Sequence, residues 1–399
     1  MEYLAGSKEI VESMPKLHSR EPFTPAILEF CDDIAKELMR VPNGRNYPDM
    51  ITLGFWLRKA STEALRKRFA IKDENVHLGR GVIFHVAPSN VPVNFAYSLF
   101  MGLLCGNANI VRVPSGDFPQ VSMIIDVIHK ALCRHPDMAP YICLVKYGHE
   151  QEINDHFSAI CDVRIVWGGD ATIAEIRKSP LPPRAAEVTF SDRFSLAVID
   201  ADVYHMMNEQ EKSELARGFY NDTYLTDQNA CTSPRVVVWL NSIGKEAERK
   251  EFWSRLWEIV DKEYVFQDIQ GVNKLTKKYL LAADAEINIK EGKFIENKDN
   301  RLICVEIDKL TENLPAYFDN AGFFPEYAAE DISELSILCN DSRCQTIGYA
   351  GKREMFAPLI KMGVKGIDRI VPIGKTLDFD FIWDGFNLYE RLVRTVVIY

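Results

Sequence analysis

The fold is decided by the stretch Gly81-Val82-Ile83-Phe84-His85-Val86-Ala87, an almost unbroken apolar run. Such a run predicts a strand that is buried on both faces of a parallel sheet. The turn Pro88-Ser89-Asn90-Val91-Pro92 ends the strand, and the apolar stretch from Val93 to Cys105 predicts a buried helix after it. Strand, turn and helix in this order indicate the beginning of a βαβ unit.

The same alternation continues toward the carboxyl side. Three more strands are predicted, at residues 110–114, 142–145 and 163–167, with helices at 120–133 and 150–161 between them. The order β-α-β-α-β-α-β predicts a Rossmann-type, doubly wound parallel sheet in an α/β protein. Ligands of such sheets bind at the carboxyl ends of the strands. Residues 1 to about 75 predict only amphipathic helices, including one near 27–39 and one near 49–69.

The best linker is Ser179-Pro180-Leu181-Pro182-Pro183. It divides the chain into a domain at 1–183, a second α/β domain at 184–366, and a C-terminal segment at 367–399. Strands are predicted in the second domain near 187–190, 195–199, 236–240, 303–307 and 345–350. The last strand, Thr395-Val396-Val397-Ile398-Tyr399, needs a pairing partner, either in the first domain or in another subunit.

Composition excludes several classes of function. The chain has 399 residues, 47% hydrophobic and 26% charged, and a formal net charge of −10. This acidity argues against a nucleic-acid partner. No apolar run reaches the length of a membrane span, and no secretory leader is evident, so we expect a cytoplasmic protein. The nine cysteines include no C-x-x-C pair, and the eight histidines form no metal-binding motif, so disulfides and a metal site are not expected.

The candidate nucleophile lies in Asp227-Gln228-Asn229-Ala230-Cys231-Thr232-Ser233-Pro234. This polar loop leads directly into a strand, so Cys231 can be held from one side and reached from the other. The alternative is a buried, unreactive cysteine at the beginning of a strand.

Polar residues and glycines also follow the strands of the first domain. Asn90 comes after the first strand, Arg112 and Ser115 lie at the second, and Gly168-Gly169 closes the fourth. A glycine turn before a helix can present N–H groups to a phosphate, although glycines in such turns more often serve backbone geometry. The G-x-G-x-x-G fingerprint does not follow the first strand.

Four segments together resemble the Lux-type acyl-CoA reductases, a branch of the aldehyde dehydrogenase superfamily. The resemblance extends from about residue 80 to the end of the chain and is carried by residues 85–95, 103–115, 227–234 and Trp383-Asp384-Gly385. It implies an aldehyde-dehydrogenase-like fold with a nicotinamide-binding domain and a catalytic domain. It also implies an acyl-protein synthetase as a partner, whereas a homo-oligomer is expected from the terminal strand that needs a pairing partner.

The resemblance gives roles to individual residues. Cys231 takes the place of the nucleophile, and Asn90 resembles the asparagine that helps to form the oxyanion hole. The aldehyde dehydrogenase superfamily usually has a glutamine at the position of Asn229, whereas the glutamine of this sequence, Gln228, is one position earlier. Arg112 and Ser115 resemble the strand end that faces the adenosine ribose.

The same comparison gives the cofactor. Gly168 and Gly169 resemble the turn beside the nicotinamide. Because an arginine at position 112 can bind a 2′-phosphate, NADPH is expected, with NADH as the alternative.

One departure concerns water. Hydrolytic aldehyde dehydrogenases have a glutamate base at the position that Thr189 occupies here. Without a base, water should attack a thioacyl-enzyme slowly. Glu187 lies two residues upstream and, on a strand, on the same face, so a small shift of the match would make it the base.

The sequence therefore predicts an NADPH-dependent reductase that converts an acyl thioester, of CoA or of a protein, to an aldehyde through a thioacyl group on Cys231. Three alternatives remain: an aldehyde-oxidising dehydrogenase with Glu187 as base, an acyltransferase that uses Cys231 without a nicotinamide, and a non-catalytic nucleotide-binding protein. The helix at 93–105 is interpreted as a core helix, with a wall for a fatty chain as the other possibility.

Overall fold

The computed structural model describes residues 1–42, 44–70, 75–88, 91–265 and 301–399. The chain forms two compact units. Unit 1 comprises Met1–Asp192 and Phe379–Tyr399, and unit 2 comprises Arg193–Asp378. In the part of the chain that is described, no helix combines the length and the apolar character needed to cross a membrane.

Unit 1 is built on a six-stranded sheet with the order β1-β5-β4-β3-β6-β7. Its strands, and the separate strand β2, have the following bounds: β1 Glu2–Ala5, β2 Val76–Gly79, β3 Val82–Val86, β4 Ala108–Arg112, β5 Ile142–Lys146, β6 Val163–Trp167 and β7 Ala186–Phe190. All neighbouring pairs from β5 to β7 are parallel, and only β1 is antiparallel to its neighbour. The predicted doubly wound parallel sheet is confirmed.

Helices cover this sheet: α1 Lys8–Ser13, α2 Pro25–Leu38, α3 Pro48–Leu57, α4 Lys59–Phe69, α5 Asn94–Leu104, α6 Pro119–Arg134, α7 Gln151–Ile160 and α8 Asp170–Ile176. Every residue of β3 and of β6 is buried, as their apolar runs predict. Nine of the eleven residues of α5 are buried in the same core, so the interpretation as a core helix is confirmed. Phe30, Cys31 and Ile34 form the buried stripe of α2.

Three predictions for unit 1 are wrong. The first 75 residues are not purely helical, because Glu2–Ala5 adds an antiparallel edge strand to β5. The single helix near 49–69 is two helices, because Arg58 adopts an extended conformation with ψ 149° between them. The segment near 187–190 does not begin the second domain, because β7 pairs with β6. The boundary between the units is therefore at 192/193 and not at 183/184.

Unit 2 contains a second six-stranded sheet, in which every pair is parallel and the order is β10-β11-β9-β8-β12-β13. Its strands are β8 Phe194–Asp200, β9 Pro234–Leu240, β10 Ile303–Glu306, β11 Phe323–Ala329, β12 Cys344–Ala350 and β13 Arg369–Pro372. Its helices are α9 Ala201–Met206, α10 Glu209–Thr223, α11 Glu246–Glu263, α12 Ser336–Cys339 and α13 Ala357–Lys361. The inner strand β11 and the edge strand β13 were not predicted.

Short 3-10 helices complete the described elements: Met14–Lys16, Gly44–Asn46, Pro136–Tyr141, Tyr224–Thr226, Leu314–Tyr317, Ile332–Leu335 and Arg353–Phe356.

The chain returns to unit 1 after Asp378 and forms β14 Ile382–Trp383, β15 Phe386–Asn387, α14 Leu388–Leu392 and β16 Val393–Val396. The last strand pairs antiparallel with β2. It begins two residues before the predicted position, and residues 397–399 continue beyond it as exposed chain. Phe379, Phe381 and Leu388 belong to the hydrophobic core of unit 1. The boundary predicted at 366/367 therefore lies at 378/379.

Candidate active site

Cys231 lies in the loop between the 3-10 helix Tyr224–Thr226 and β9, and its side chain is only partly exposed. The two residues that follow it, Thr232 and Ser233, are buried. This loop is at the amino ends of the strands of the second sheet, whereas the rule for parallel sheets draws attention to their carboxyl ends. The structure thus places Cys231 where one side of the loop is anchored in the core and the other side is accessible.

Cys231 differs from most of the other cysteines. Seven of the nine are buried, and Cys133 is exposed on α6. Burial raises the pKa of Cys143 and of Cys161 to about 12, so these thiols stay protonated near neutral pH. Because the thiolate is the reactive form, Cys143 and Cys161 are unreactive, whereas Cys231 is a partly exposed thiol in a hydrogen-bonded loop.

The backbone before Cys231 is strained. Asp227 and Gln228 have φ values of 49° and 58°, a conformation that residues with a side chain rarely adopt. The backbone carbonyl of Asp227 accepts a hydrogen bond from the Ala321 N–H at 3.0 Å. Its carboxylate accepts one from the Tyr264 hydroxyl at 2.8 Å. These contacts hold the turn in its unfavourable conformation.

Gln228 fastens the same loop to the sheet and is 1% exposed. Its amide nitrogen donates to the carbonyl oxygens of Pro234 and Phe323, at 2.8 and 3.2 Å. Its amide oxygen accepts from the Gly322 N–H at 3.0 Å. Gln228, which is one position earlier than the superfamily's glutamine, therefore anchors the loop to the sheet. The sequence did not indicate this role.

A buried serine of β8 contacts the loop that contains Cys231. The Ser195 hydroxyl lies 2.7 Å from the carbonyl oxygen of Cys231. Sequence reasoning missed this residue, because a single serine at the start of an apolar strand carries no motif.

The predicted cofactor residues lie in unit 1. Arg112 is the last residue of β4, and Val166 and Trp167 are the last residues of β6. Both strands flank β3, since Arg112 and Val166 are each in register with Val86. The structure therefore brings Arg112 and Gly168-Gly169 to the same edge of the sheet, where the strand order reverses. Ser115 follows Arg112 at this edge and is exposed.

Arg112 is held in place by its neighbours. One guanidinium nitrogen donates to the Gly148 carbonyl oxygen at 2.5 Å, and the guanidinium carbon lies 4.7 Å from the ring centroid of Tyr147. An arginine has five N–H donors, so this arrangement fixes the plane of the group and keeps other donors for an anion.

Gly169 caps the amino end of α8, and a Cβ atom at this position would meet no atom within 4 Å. The space beside this backbone is therefore open to a ligand. Asp170 is in the first turn of α8, and its charge opposes binding of a phosphate directly at the helix end.

A chain of buried side chains connects the elements around this edge. The Trp167 indole donates to the Ser98 hydroxyl at 3.0 Å, and this hydroxyl lies 2.7 Å from Nδ1 of His85. Nε2 of His85 lies 3.0 Å from the Asn109 amide oxygen. Burial lowers the pKa of His85 to about 4, so the ring is neutral. This series of hydrogen bonds connects β3, α5, β4 and β6 beneath the candidate cofactor edge.

Ser89 and Asn90 lie outside the described residues. The predicted role of Asn90 in an oxyanion hole therefore stays a prediction.

Glu187 and Thr189 lie on the same face of β7. The Glu187 carboxylate accepts hydrogen bonds from Arg164 at 2.8 and 2.5 Å and from Arg177 at 2.7 Å. Burial opposes ionisation of Glu187, but the hydrogen bonds from Arg177 and Arg164 outweigh it and lower the pKa of this carboxyl. A carboxylate in this state is a weak base and is committed to a structural ion pair.

Within the described ranges, no group of three or more histidine, cysteine, aspartate or glutamate side chains is placed to hold a metal ion.

Comparisons with known proteins agree with this arrangement. The sequence model of the acyl-CoA reductase (LuxC) family matches residues 64–395. A long-chain acyl-protein thioester reductase 2 of Photobacterium leiognathi is 24% identical over 328 residues, which are 80% of this chain and 64% of the relative. A long-chain acyl-protein thioester reductase of Vibrio harveyi is 22% identical, over 79% of this chain and 64% of the relative. The chain thus spans less than two thirds of the length of these relatives.

Solved structures show the fold. An NAD-dependent benzaldehyde dehydrogenase from Corynebacterium glutamicum superposes with a TM-score of 0.63 at 14% identity, over 97% of this chain and 88% of that one. Aldehyde dehydrogenase 21 from Physcomitrella patens gives a TM-score of 0.65 at 12% identity, over 98% and 88% of the two chains. The predicted aldehyde-dehydrogenase-like α/β fold is confirmed. Because the family match covers most of the sequence, the chain belongs to the LuxC family of acyl-CoA reductases.

Proposed function

We propose that this protein reduces an acyl thioester, of CoA or of an acylated protein, to an aldehyde with NADPH. The observation that carries the proposal is the half-buried Cys231 in a strained, hydrogen-bonded loop of a chain of the LuxC family. The two curated relatives support it, since both are named as long-chain acyl-protein thioester reductases.

Cys231 forms the covalent intermediate. Its thiolate adds to the thioester carbonyl, and the side-chain amide of Asn90 and the N–H of Cys231 stabilise the resulting oxyanion. The departing thiolate of the donor leaves the acyl group on Cys231 as a new thioester. After reduction, the thiohemiacetal collapses, releases the aldehyde and restores the Cys231 thiolate. The role of Asn90 rests on its resemblance to the family pattern.

The residues at the edge of the first sheet fit a nicotinamide dinucleotide. The fixed guanidinium of Arg112 suits a 2′-phosphate, and the exposed Ser115 follows it three residues later in the chain. The open space beside Gly169 leaves room for the nicotinamide end. When bound, the reduced cofactor supplies the hydride that the thioacyl carbon receives. NADPH is proposed over NADH because of Arg112.

Water is not activated in this proposal. Thr189 has no carboxylate, and Glu187 is neutralised by Arg164 and Arg177. The thioacyl group on Cys231 therefore lasts long enough to be reduced. The second candidate, oxidation of an aldehyde to a carboxylate or thioester, is favoured by the aldehyde dehydrogenase fold, but Glu187 is not available as its base.

Partners and location are proposals of the same kind. An acyl-protein synthetase would supply the acyl group, the protein would be a homo-oligomer, and the reaction would take place in the cytoplasm.

Replacement of the nucleophile tests the proposal. We expect Cys231→Ala to lower NADPH-dependent reduction of acyl-CoA by at least about a thousandfold, because the covalent route is lost. Cys133→Ala, which removes the exposed thiol on α6, is the matched control and should keep the wild-type rate. The measurement follows the nicotinamide absorbance with acyl-CoAs of increasing chain length, each with NADPH and NADH. A Cys231→Ala rate near that of the wild type would disprove the mechanism.

A further inference from the structure

Ser195 occupies an irregular position in the second sheet. Along β8 and β9 the register passes from Ser195↔Pro234 to Ala197↔Val237, so β9 contains one extra residue. Along β8 and β12 it passes from Phe194↔Cys344 to Leu196↔Ile347, so β12 also contains one extra residue. Such bulges release backbone groups from the regular ladder and are frequent beside active sites.

The hydroxyl of Ser195 bonds one backbone group at the bulge of β12 and another in the loop before β9. The Thr346 N–H donates to Ser195 Oγ at 3.2 Å, so this oxygen acts as the acceptor there. Its single O–H is then directed to the Cys231 carbonyl oxygen, 2.7 Å away. Ser195 is fully buried, so water does not compete for either bond. The serine connects β12 to the nucleophile loop through one hydroxyl group.

Both peptide groups that flank Cys231 are thereby fixed. The carbonyl of the preceding peptide, that of Ala230, accepts from the Ser233 N–H at 3.0 Å. The carbonyl of the following peptide, that of Cys231 itself, accepts from Ser195. Because the two peptide planes are held, the φ and ψ angles of Cys231 are held as well. These angles determine where the thiol stands relative to the Cys231 N–H.

We propose that Ser195 is a positioning residue for the acylation of Cys231: its hydroxyl holds the peptide after the nucleophile, and so keeps the thiol and the oxyanion-binding N–H in their productive relation. The proposal rests on the proposed function, because it requires an oxyanion to form during thioester attack. Ser195 itself does not touch the reacting atoms.

Two reactions of the same thiol distinguish positioning from general structural support. Acylation by hexadecanoyl-CoA passes through an oxyanion, whereas alkylation by iodoacetamide does not. In Ser195→Ala we expect the single-turnover acylation rate of Cys231 to fall about ten- to a hundredfold, a smaller decrease than complete removal of an oxyanion donor causes. The rate is measured by intact-protein mass without nicotinamide. The rate of alkylation, read on the Cys231 peptide, should stay within about threefold of wild type.

Two further variants control the result. Ser242 is another buried serine of unit 2, and its hydroxyl has no hydrogen-bond partner within the described ranges. Ser242→Ala should therefore leave both rates unchanged. Ser195→Thr keeps the hydroxyl and should keep most of the acylation rate. If thermal unfolding shows that Ser195→Ala is not folded, the two rates are measured on Ser195→Thr instead.

The outcomes separate the possible failures. If wild-type protein is not acylated at Cys231, the proposed function fails and this inference fails with it. If the wild type is acylated and Ser195→Ala is acylated equally fast, only the role of Ser195 is disproved. Parallel loss of acylation and alkylation, or equal loss in Ser195→Ala and Ser195→Thr, would also disprove it, because the effect would then come from disordered packing.

Discussion

At the scale of single residues, Asp227 and Gln228 show what holds the loop that contains Cys231. A left-handed residue with a side chain costs about 1–2 kcal/mol, and here two follow each other. The three hydrogen bonds of the Gln228 amide and the contact of Tyr264 with Asp227 offset this cost. The loop is thus fixed by Gln228 and Tyr264, side chains to which the sequence comparison gave no catalytic role.

Arg112 carries the prediction on cofactor choice. We expect Arg112→Ala to raise the KM for NADPH on the order of ten- to a hundredfold, since charge-assisted hydrogen bonds to the 2′-phosphate are lost. The KM for NADH should change much less. Steady-state kinetics with both cofactors at a fixed acyl-CoA concentration measure the difference.

The control for this prediction is Arg134→Ala, which removes an arginine of α6 that pairs with Asp33 and Glu37. It should leave both KM values unchanged. If Arg112→Ala raised the KM for NADPH and the KM for NADH equally, Arg112 would support the sheet edge and would not bind the 2′-phosphate.

The sequence singled out candidate chemical residues but not their supports. Cys231 was proposed because a cysteine in a polar loop before a strand matches a family pattern. Ser195 and Gln228 could not be found, because their roles depend on contacts with Cys231, Thr346 and Gly322. Such contacts form only after distant strands have come together.

At the scale of elements, β7 depends on Glu187. The Arg164 side chain is 3% exposed and Glu187 is its carboxylate partner. Removing one partner of a buried ion pair typically costs about 3–5 kcal/mol. We expect Glu187→Gln to lower the melting temperature by several degrees, measured by thermal unfolding, and to leave the rate of thioester reduction at permissive temperature near that of the wild type.

The matched control is Glu175→Gln, which breaks the exposed pair with Lys178 in the same unit. Exposed pairs contribute little, so its melting temperature should hardly change. If Glu187→Gln instead removed an aldehyde-oxidising activity without loss of stability, Glu187 would be the base that the structure argues against.

The elements that the sequence missed have physical reasons. Strand β11 contains Pro325 and the buried Glu326, which break its apolar pattern. Glu326 is compatible with burial only because Arg249 pairs with it at 2.9 Å and the indole N–H groups of Trp239 and Trp253 donate to it. The break between α3 and α4 is at Arg58. No proline or glycine stands at this position, so the sequence did not indicate a helix end there. By contrast, β3 and β6 were predicted because their burial is visible as unbroken apolar runs.

At the scale of the whole molecule, Asp222 makes stability depend on pH. Burial raises its pKa to about 7, against the effect of the N–H groups of Gly374 and Thr376, which donate to it at 2.6 and 3.1 Å. The unfolded chain has the ordinary pKa of about 3.9. The folded state therefore holds this proton more tightly, and its contribution to stability is fully present below pH of about 4 and is lost as the pH rises to about 7.

We expect the melting temperature of Asp222→Asn to depend less on pH than that of the wild type between pH 4 and 7, because the asparagine does not ionise. The difference in melting temperature between the two proteins should change by several degrees across this pH range. Thermal unfolding in a series of buffers measures this difference. The other titrating groups are common to both proteins and cancel in the comparison. Two parallel curves would show that Asp222 does not titrate in this range.

The division into units was the least accessible to sequence reasoning. The proline-rich linker at 179–183 marks only the crossover from α8 to β7 within one sheet. The actual boundary, between Asp192 and Arg193, carries no change of composition. Linker composition reports where the chain turns, whereas a domain boundary depends on which strands pair.

The return of the chain to unit 1 after Asp378 has a consequence during synthesis. The core of unit 1 includes Phe379, Phe381, Leu388 and Leu392, which leave the ribosome only after the whole of unit 2. At about 5–20 residues per second, this delay is on the order of ten seconds or longer. During that time Trp56 of α3, Phe69 of α4 and Tyr97 of α5 lack their ring contacts with Phe379 and Phe381. Unit 2, by contrast, is continuous and can fold as it emerges. The first unit therefore stays incomplete for longer during synthesis than the second.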